Sequence, residues 1–305
     1  MKKNNIANGK ISASEIALGC MRINNISKSE ASILISTALE EGINFFDHAD
    51  IYGAGKSEEV FANAIGMKPS IREKIIIQSK CGIRKGYFDF SKEHILNSVE
   101  GSLRRLNTDY LDILLLHRPD TLMDPEEVAE AFTKLHNSGK VKYFGVCNQN
   151  PMQIELLNKY LNNKIIINQL QLSITNTGMI DSGMNVNMQI DPSIDRDGSI
   201  LEYCRLKDIT IQAWSPFQYG FFDGVFLNND KFPELNNKIN EIAATKGVTN
   251  SAIAIAWILR HPAKIQPLVG TTSAKRLVDI CKASRVELTR QEWYEIYRAA
   301  GNKLP

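Results

Sequence analysis

Short apolar, β-branched runs alternate with longer amphipathic segments along the whole chain, and this alternation constrains the fold more than any other feature. The strand-like runs are Ile16–Gly19, Ile43–Phe46, Lys74–Ser79, Leu111–Leu116, Val141–Val146, Ile165–Gln169, Ile209–Ala213 and Ile265–Val269. A helical pattern follows each of them. Ser27 and Glu30 read as a capping box for a helix over Lys28–Glu41 that stops at Gly42. Ser57 reads as the cap of a helix opening at Glu58, Ser91 as the cap of Lys92–Leu106, and Asp124-Pro125 and Asn150-Pro151 as two further helix starts. Helical segments near Ser199–Lys207, Glu234–Lys246, Ser251–Arg260 and Ser273–Ala283 complete the pattern, and Arg290–Ala300 reads as one more.

Several of the strands are nearly continuous apolar runs, as expected for a parallel sheet covered on both faces. Eight strand–helix units in 305 residues, with no Pro/Gly/Ser-rich linker, predict an α/β fold. Its architecture is a (β/α)8 TIM barrel forming one domain over residues 1–305; an open doubly wound sheet is the alternative that pattern alone allows. Asn8-Gly9 between short apolar positions predicts an N-terminal hairpin placed to plug the barrel floor, and Arg290–Ala300 a C-terminal extra helix. From Ile174 to Gly198 no periodicity is evident, which predicts a long functional loop on the active face after strand six.

Composition excludes several classes of function. With 36 Lys+Arg against 34 Asp+Glu and no basic block, nothing favours nucleic-acid binding. The longest apolar run, Ala252–Leu259, is too short to span a bilayer, and no secretory signal stands at the start. Five scattered cysteines without CxxC argue for a reducing compartment, hence a cytoplasmic protein, and the five histidines lack metal-ligand spacing, so no metal is expected. A soluble monomer or weak homo-oligomer acting on a small molecule is the expectation.

The stretch DHADIYGAGKSE, Asp47–Glu58, holds two candidate chemistries. Its second half ends like a phosphate loop, but the first glycine of GxxxxGK[ST] falls on Asp50, whose charge would repel phosphate. GxGxxG is absent from the chain. The first half gains weight from its neighbours. Asp47 and Tyr52 follow strand two, Lys80 strand three and His117 strand four, so a barrel gathers all four at its C-terminal mouth. Taken singly, each has an ordinary explanation: a loop carboxylate, a rim aromatic, a solvated charge, a strand cap. Four different ionisable types at three consecutive strand ends call for more.

These residues sit in a sequence that resembles the aldo-keto reductase superfamily. The matching pieces are Phe46–Gly53, Ser79–Gly82, Leu103–Tyr110 leading to Leu115–Asp120, Gly139–Asn148, Asn168-Gln169 and Trp214-Ser215-Pro216, in the family's order over most of the chain. The resemblance implies NADPH-dependent hydride transfer to a carbonyl substrate. Tyr52 would be the general acid, Lys80 would lower its pKa, Asp47 would hold the ammonium, and His117 would orient the carbonyl oxygen. It further implies cofactor contacts from Gly19, Met21 and Asp47, carboxamide contacts from Asn148 and Gln169, and ring stacking on Trp214. A pyrophosphate loop would begin at Ser215 and Pro216, and the 2′-phosphate site would use Gly270, Thr272, Ser273 and above all Arg276.

The chain departs from the family where Phe217-Gln218-Tyr219 precede Gly220, where Ser273 replaces a basic residue and where Ile280 replaces an Asn. Two rivals to the carbonyl reductase remain on sequence. One is a cofactor-binding regulatory subunit like the potassium-channel β subunits; the other is a barrel hydrolase or lyase using Asp47 and His117 without a nicotinamide.

Overall fold

Eight parallel strands close into a barrel in the computed structural model, which describes residues 1–304. In chain order they are Ala17–Gly19, Phe45–Asp47, Ile76–Cys81, Leu111–Leu116, Val141–Cys147, Ile167–Gln171, Thr210–Trp214 and Gln266–Val269, and the eighth pairs with the first. The (β/α)8 expectation holds, and the open sheet is excluded by that closing pair. Strands two, three and six start two residues later in the sequence than their apolar runs begin, or one for the third counted from Ile75. Ile43, Ile75 and Ile165 are buried in the approach, ahead of the sheet pairing. The same strands continue past the apolar run into Asp47, Cys81 and Gln171, because backbone pairing does not stop where side chains turn polar.

The barrel interior is built by the period of two along each strand. Phe45, Ile76, Ile113, Leu115, Ile167 and Leu268 point inward and form a buried cluster with Ala17. The same cluster contains Ile6, Ala7, Ile11 and Ala13 of the predicted hairpin, whose strands Lys3–Ile6 and Ile11–Ser14 pair antiparallel. The hairpin therefore closes the floor. Outward residues such as Phe46, Ile77, Leu114 and Phe144 join the larger core shared with the surrounding helices. Gly145 is an inward position with no room for a side chain: a Cβ there would lie 2.5 Å from Leu115 and 2.8 Å from the Ile167 carbonyl oxygen.

The capping boxes at Ser27/Glu30 and Asn150/Gln153 form, and Ser91 and Asp124 cap their helices as read. Ser57 does not cap. The helix spans Lys56–Ile65 with Gly55, at φ 90°, as its N-cap. Ser57 lies inside the first turn, where its hydroxyl donates to the Met21 carbonyl or to Asn24 Oδ1.

The segment after strand six carries a helix over Gly178–Met184 and a 3-10 turn over Asp191–Ser193, so it is not the featureless loop expected. Glycines at both ends of so short a helix erased its period, while Asp181 anchors it by accepting from Tyr297 of the C-terminal helix at 2.6 Å. That extra helix, Arg290–Ala299, stacks Trp293 on Trp257 with ring centroids 4.7 Å apart; each indole N–H donates to the other's backbone carbonyl. No single helix among the described residues is long and apolar enough to cross a membrane.

Candidate active site

Two residues above the apolar layer, the same inward positions become polar. Asp47 follows Phe45, Lys80 follows Gln78 and Ile76, and His117 follows Leu115 and Ile113. The register sets Asp47 opposite Gln78 and places Lys80 one pleat higher. Tyr52 comes from the turn after strand two, where Gly53 and Ala54 both take positive φ to bring the chain back onto the rim. In the helix after the turn, Glu58 is buried and its carboxylate accepts from Ser79 at 2.6 Å and from Arg105 at 2.8 Å. The second half of DHADIYGAGKSE thus ties that helix to strand three and to the helix Lys92–Leu106.

Lys80 organises the mouth. Its ammonium donates to Asp47 Oδ2 at 2.7 Å, the His48 carbonyl at 2.8 Å and Tyr52 Oη at 3.1 Å, which uses all three of its protons. Burial favours the neutral amine, but Asp47 and Tyr52 outweigh it and hold the lysine pKa above its ordinary value. The expected lowering of the tyrosine pKa does not appear. Burial pushes the Tyr52 phenol up to about 12, and the Lys80 charge offsets only part of that. His117 lies beside them, its ring 5.8 Å from that of Tyr52 at 81°. Burial, then Lys80 and Arg118, hold its pKa well below the histidine range, so the ring is neutral at neutral pH. Its Nδ1 is buried without a partner, which leaves the Nε2 edge to face the cavity.

The cavity at this mouth measures about 730 Å3. The structure brings Tyr52, Asp47, His117, Gly19, Met21, Gln169, Trp214, Ser215, Pro216, Gly270 and Arg276 to its wall. Lys80 sits behind the wall, buried under Tyr52 and Asp47. Asn148, Thr272 and Ser273 are not part of the wall. Asn148 braces the aromatic instead, accepting from Trp214 Nε1 at 3.1 Å, and Thr271 stands in the wall where Thr272 was expected. Ser273 caps the helix Ala274–Cys281 by accepting from the Arg276 N–H at 3.3 Å. Gln169 donates both amide protons inward, to Asp47 at 3.1 Å and to Gln212 at 3.0 Å, leaving its carbonyl oxygen for a ligand.

Sequence reasoning missed other wall residues. Arg22 donates to the Gly270 carbonyl at 2.5 and 3.2 Å and lines the cavity beside Arg276. Arg118 sits over the Trp214 ring at 5.4 Å; its place directly after His117 was the available signal. Asn250 and Ser251 line the far end from the start of helix Asn250–Leu259. Phe222 stacks on Trp214 with centroids 5.8 Å apart, from a turn whose aromatic run gave no periodic cue. Among the described residues no cluster of side chains suits a metal ion.

A phenol, an ammonium and a carboxylate in one hydrogen-bonded line beside a long, cation-flanked cavity make a proton-donating site with room for a sizeable anionic ligand. The model of the aldo/keto reductase family matches residues 15–300. The chain is 38% identical to the oxidoreductase YcsN of Bacillus subtilis and 35% identical to a 6-dehydroglucose reductase of Agrobacterium fabrum, with 96% of each chain covered in both cases. It is 34% identical to the oxidoreductase YdhF of Escherichia coli, over 90% of this chain and 89% of the other. A crystal structure of a thermostable aldo-keto reductase in complex with the inhibitor epalrestat superposes with a TM-score of 0.79 at 25% identity, covering 98% of this chain and all of that one. The chain is an oxidoreductase of the aldo/keto reductase family.

Proposed function

We propose that the protein reduces aldehydes or ketones to alcohols with NADPH, with Tyr52 as the proton donor. The observation that carries this reading is the Lys80 ammonium donating at once to Asp47 and to the Tyr52 oxygen at the wall of the cavity. The donor set suits a phosphorylated dinucleotide. Arg22 and Arg276 line one end, and Asp47, the only carboxylate in the wall among the described residues, is already paired with Lys80. Helices beginning at Asn250 and Ala274 add N-terminal dipoles there. Trp214 offers an aromatic face and Gln169 a free carbonyl oxygen at the other end.

Bound NADPH supplies a hydride from its nicotinamide C4, and its oxidation leaves positive charge on that ring. The residues of this chain handle the oxygen and the proton. His117, neutral and with its Nε2 edge toward the cavity, donates to the carbonyl oxygen and fixes its direction. Tyr52 gives its phenolic proton to the same oxygen as negative charge builds there. A phenol pKa near 12 keeps Tyr52 protonated throughout the neutral range, ready to donate. Lys80 stabilises the phenolate once it forms, and Asp47 keeps Lys80 charged and in place. Arg276 favours NADPH over NADH because a guanidinium matches a 2′-phosphate in charge and shape.

The test is a steady-state assay of NADPH absorbance with a panel of aldehydes and ketones, run on wild type and Tyr52→Phe. Turnover by wild type, lost in the variant while NADPH still binds, supports the reading. Tight NADPH binding without turnover of any carbonyl compound sinks it and favours a regulatory subunit.

A further inference from the structure

The middle of the barrel carries a line of four buried glutamines that the reaction as described does not use. Gln78, Gln169, Gln212 and Gln266 come from strands three, six, seven and eight, and none is more than 2% exposed. Gln78 Nε2 donates to Asp47 Oδ1 at 2.6 Å and to Gln212 Oε1 at 2.9 Å. Gln169 Nε2 makes the same two bonds at 3.1 and 3.0 Å. Gln212 Nε2 then donates to Gln266 Oε1 at 2.8 Å, and Gln266 Nε2 to the Ser14 carbonyl of the floor hairpin at 2.6 Å.

The chain of bonds has only one possible direction. A carboxylate and a backbone carbonyl accept and cannot donate. Asp47 therefore requires the NH2 ends of Gln78 and Gln169, Gln212 must present its oxygen to both, and its own NH2 must face Gln266. Gln78 Oε1 is left buried without a partner, which is the cost of committing the other end of that amide to Asp47. An interior of this kind is normally filled by branched apolar side chains, so four amides here demand a reason beyond packing.

We infer that Gln78, held by Gln212, is a positioning residue for carbonyl reduction: it fixes the orientation of Asp47 so that its second oxygen is aimed at Lys80. This rests on the function proposed above. Asp47 Oδ1 takes the two amide donors and Oδ2 takes Lys80, so the carboxylate is held against rotation from both of its oxygens. The ionisable groups facing Asp47 are Lys80 from strand three, Tyr52 from its own loop, and the thiols of Cys20 after strand one and Cys147 at the end of strand five; His117 reaches it through Lys80. Of these only Lys80 donates a hydrogen bond to the carboxylate, which leaves the amide donors as its remaining support.

The experiment uses Gln78→Met and Gln212→Met, which keep side-chain volume and remove the hydrogen bonds. The kcat and KM for a carbonyl substrate, NADPH binding by fluorescence and thermal melting are measured on both. Gln78→Met takes one of the two amide donors from Asp47 Oδ1 and leaves the carboxylate freer to turn away from Lys80. Its kcat falls roughly tenfold, as for loss of orientation at the reacting centre, with NADPH affinity within about threefold. Gln212→Met, in which both donors to Asp47 survive but lose their guide, lowers kcat in the same direction by less. A kcat of folded Gln78→Met within about twofold of wild type, a loss that appears in KM rather than kcat, or failure of both variants to fold makes the glutamines scaffold and overturns the inference. If wild type consumes no NADPH with any aldehyde, the proposed function itself fails, a result visible before either variant is made.

Discussion

The two halves of the barrel interior are built on the same strands and do opposite things. Below, Phe45, Ile76, Ile113 and Ile167 pack against the hairpin in an apolar layer. One pleat higher the same strands present Asp47, Gln78, Leu115 and Gln169, and one pleat higher again Lys80 and His117. Apolar burial stabilises in proportion to area and tolerates any close fit. A buried ion pair gives little net stability, because desolvation cancels much of the attraction, but it imposes a single geometry. The lower layer therefore holds the fold and the upper layer aims the chemistry. Substitutions in the two should separate stability from turnover.

The largest effect belongs to the upper layer. Tyr52→Phe removes one hydroxyl and the proposed acid with it, and kcat is expected to fall by about 10^3-fold or more. Melting temperature should change little, and NADPH affinity should stay within a few fold. Equal losses in binding and turnover would take the acid role from Tyr52. The matching change below is Ile113→Ala, in the sealed layer beneath the site. It should cost about 2–5 kcal/mol in denaturant unfolding while kcat per folded molecule stays near wild type. A large fall in kcat of the folded variant would show that the layers are not separable.

Acid unfolding sharpens the same division. His48 lies just behind Lys80, with both ring nitrogens buried and without partners and the ring edge-on to Phe61 at 4.5 Å. Burial first, then the Lys80 charge, lowers its pKa to about 3. Unfolded histidine binds its proton below about pH 6.5, while the folded ring stays neutral until about pH 3. The unfolded state thus gains protons first, and stability falls as pH drops from about 6.5 towards 3. Between pH 6.5 and 4.5 this one ring contributes a loss of about 2 kcal/mol, since the slope approaches 1.36 kcal/mol per unit only once the unfolded ring is mostly protonated. His48→Leu should flatten that slope by a similar amount in unfolding titrations and leave stability at pH 7 unchanged or raised. A slope identical to wild type would assign the acid sensitivity to other groups.

The halves also differed in how far the sequence revealed them. The apolar layer and the barrel were readable because inward and outward positions on buried strands are both apolar, giving runs such as Leu111–Leu116 bounded by helix caps. The tetrad was readable because its members are different ionisable residues at successive strand ends. The glutamines were not. Gln78, Gln212 and Gln266 break apolar runs without any motif, and only the closed barrel shows that residues 54 to 188 positions apart share one space. Lys80 does act to lower the Tyr52 pKa, as read, but the net direction was not legible for a related reason. A charge partner can be inferred from spacing, whereas the burial that outweighs it depends on every neighbour. Ser57 was misread as a cap because the left-handed turn at Gly55 starts the helix one residue earlier than side-chain chemistry suggests.

The smallest expected effect lies outside both layers, where the cavity meets the loop after strand eight. Arg276 opens the helix Ala274–Cys281 and lines the cavity with Arg22, whose guanidinium is tied to the Gly270 carbonyl. If Arg276 grips the 2′-phosphate, Arg276→Ala should weaken NADPH binding by about 10–30-fold, the scale of one charge-assisted hydrogen-bonded pair. NADH affinity should change by less than about threefold. The effect should shrink as salt is raised, since this end of the cavity is open to screening. Stability and the kcat reached at saturating NADPH should both hold, because neither the apolar layer nor the tetrad touches this residue. An NADPH-to-NADH ratio unmoved by the substitution would transfer the phosphate grip to Arg22, which a parallel Arg22→Ala measurement would then register.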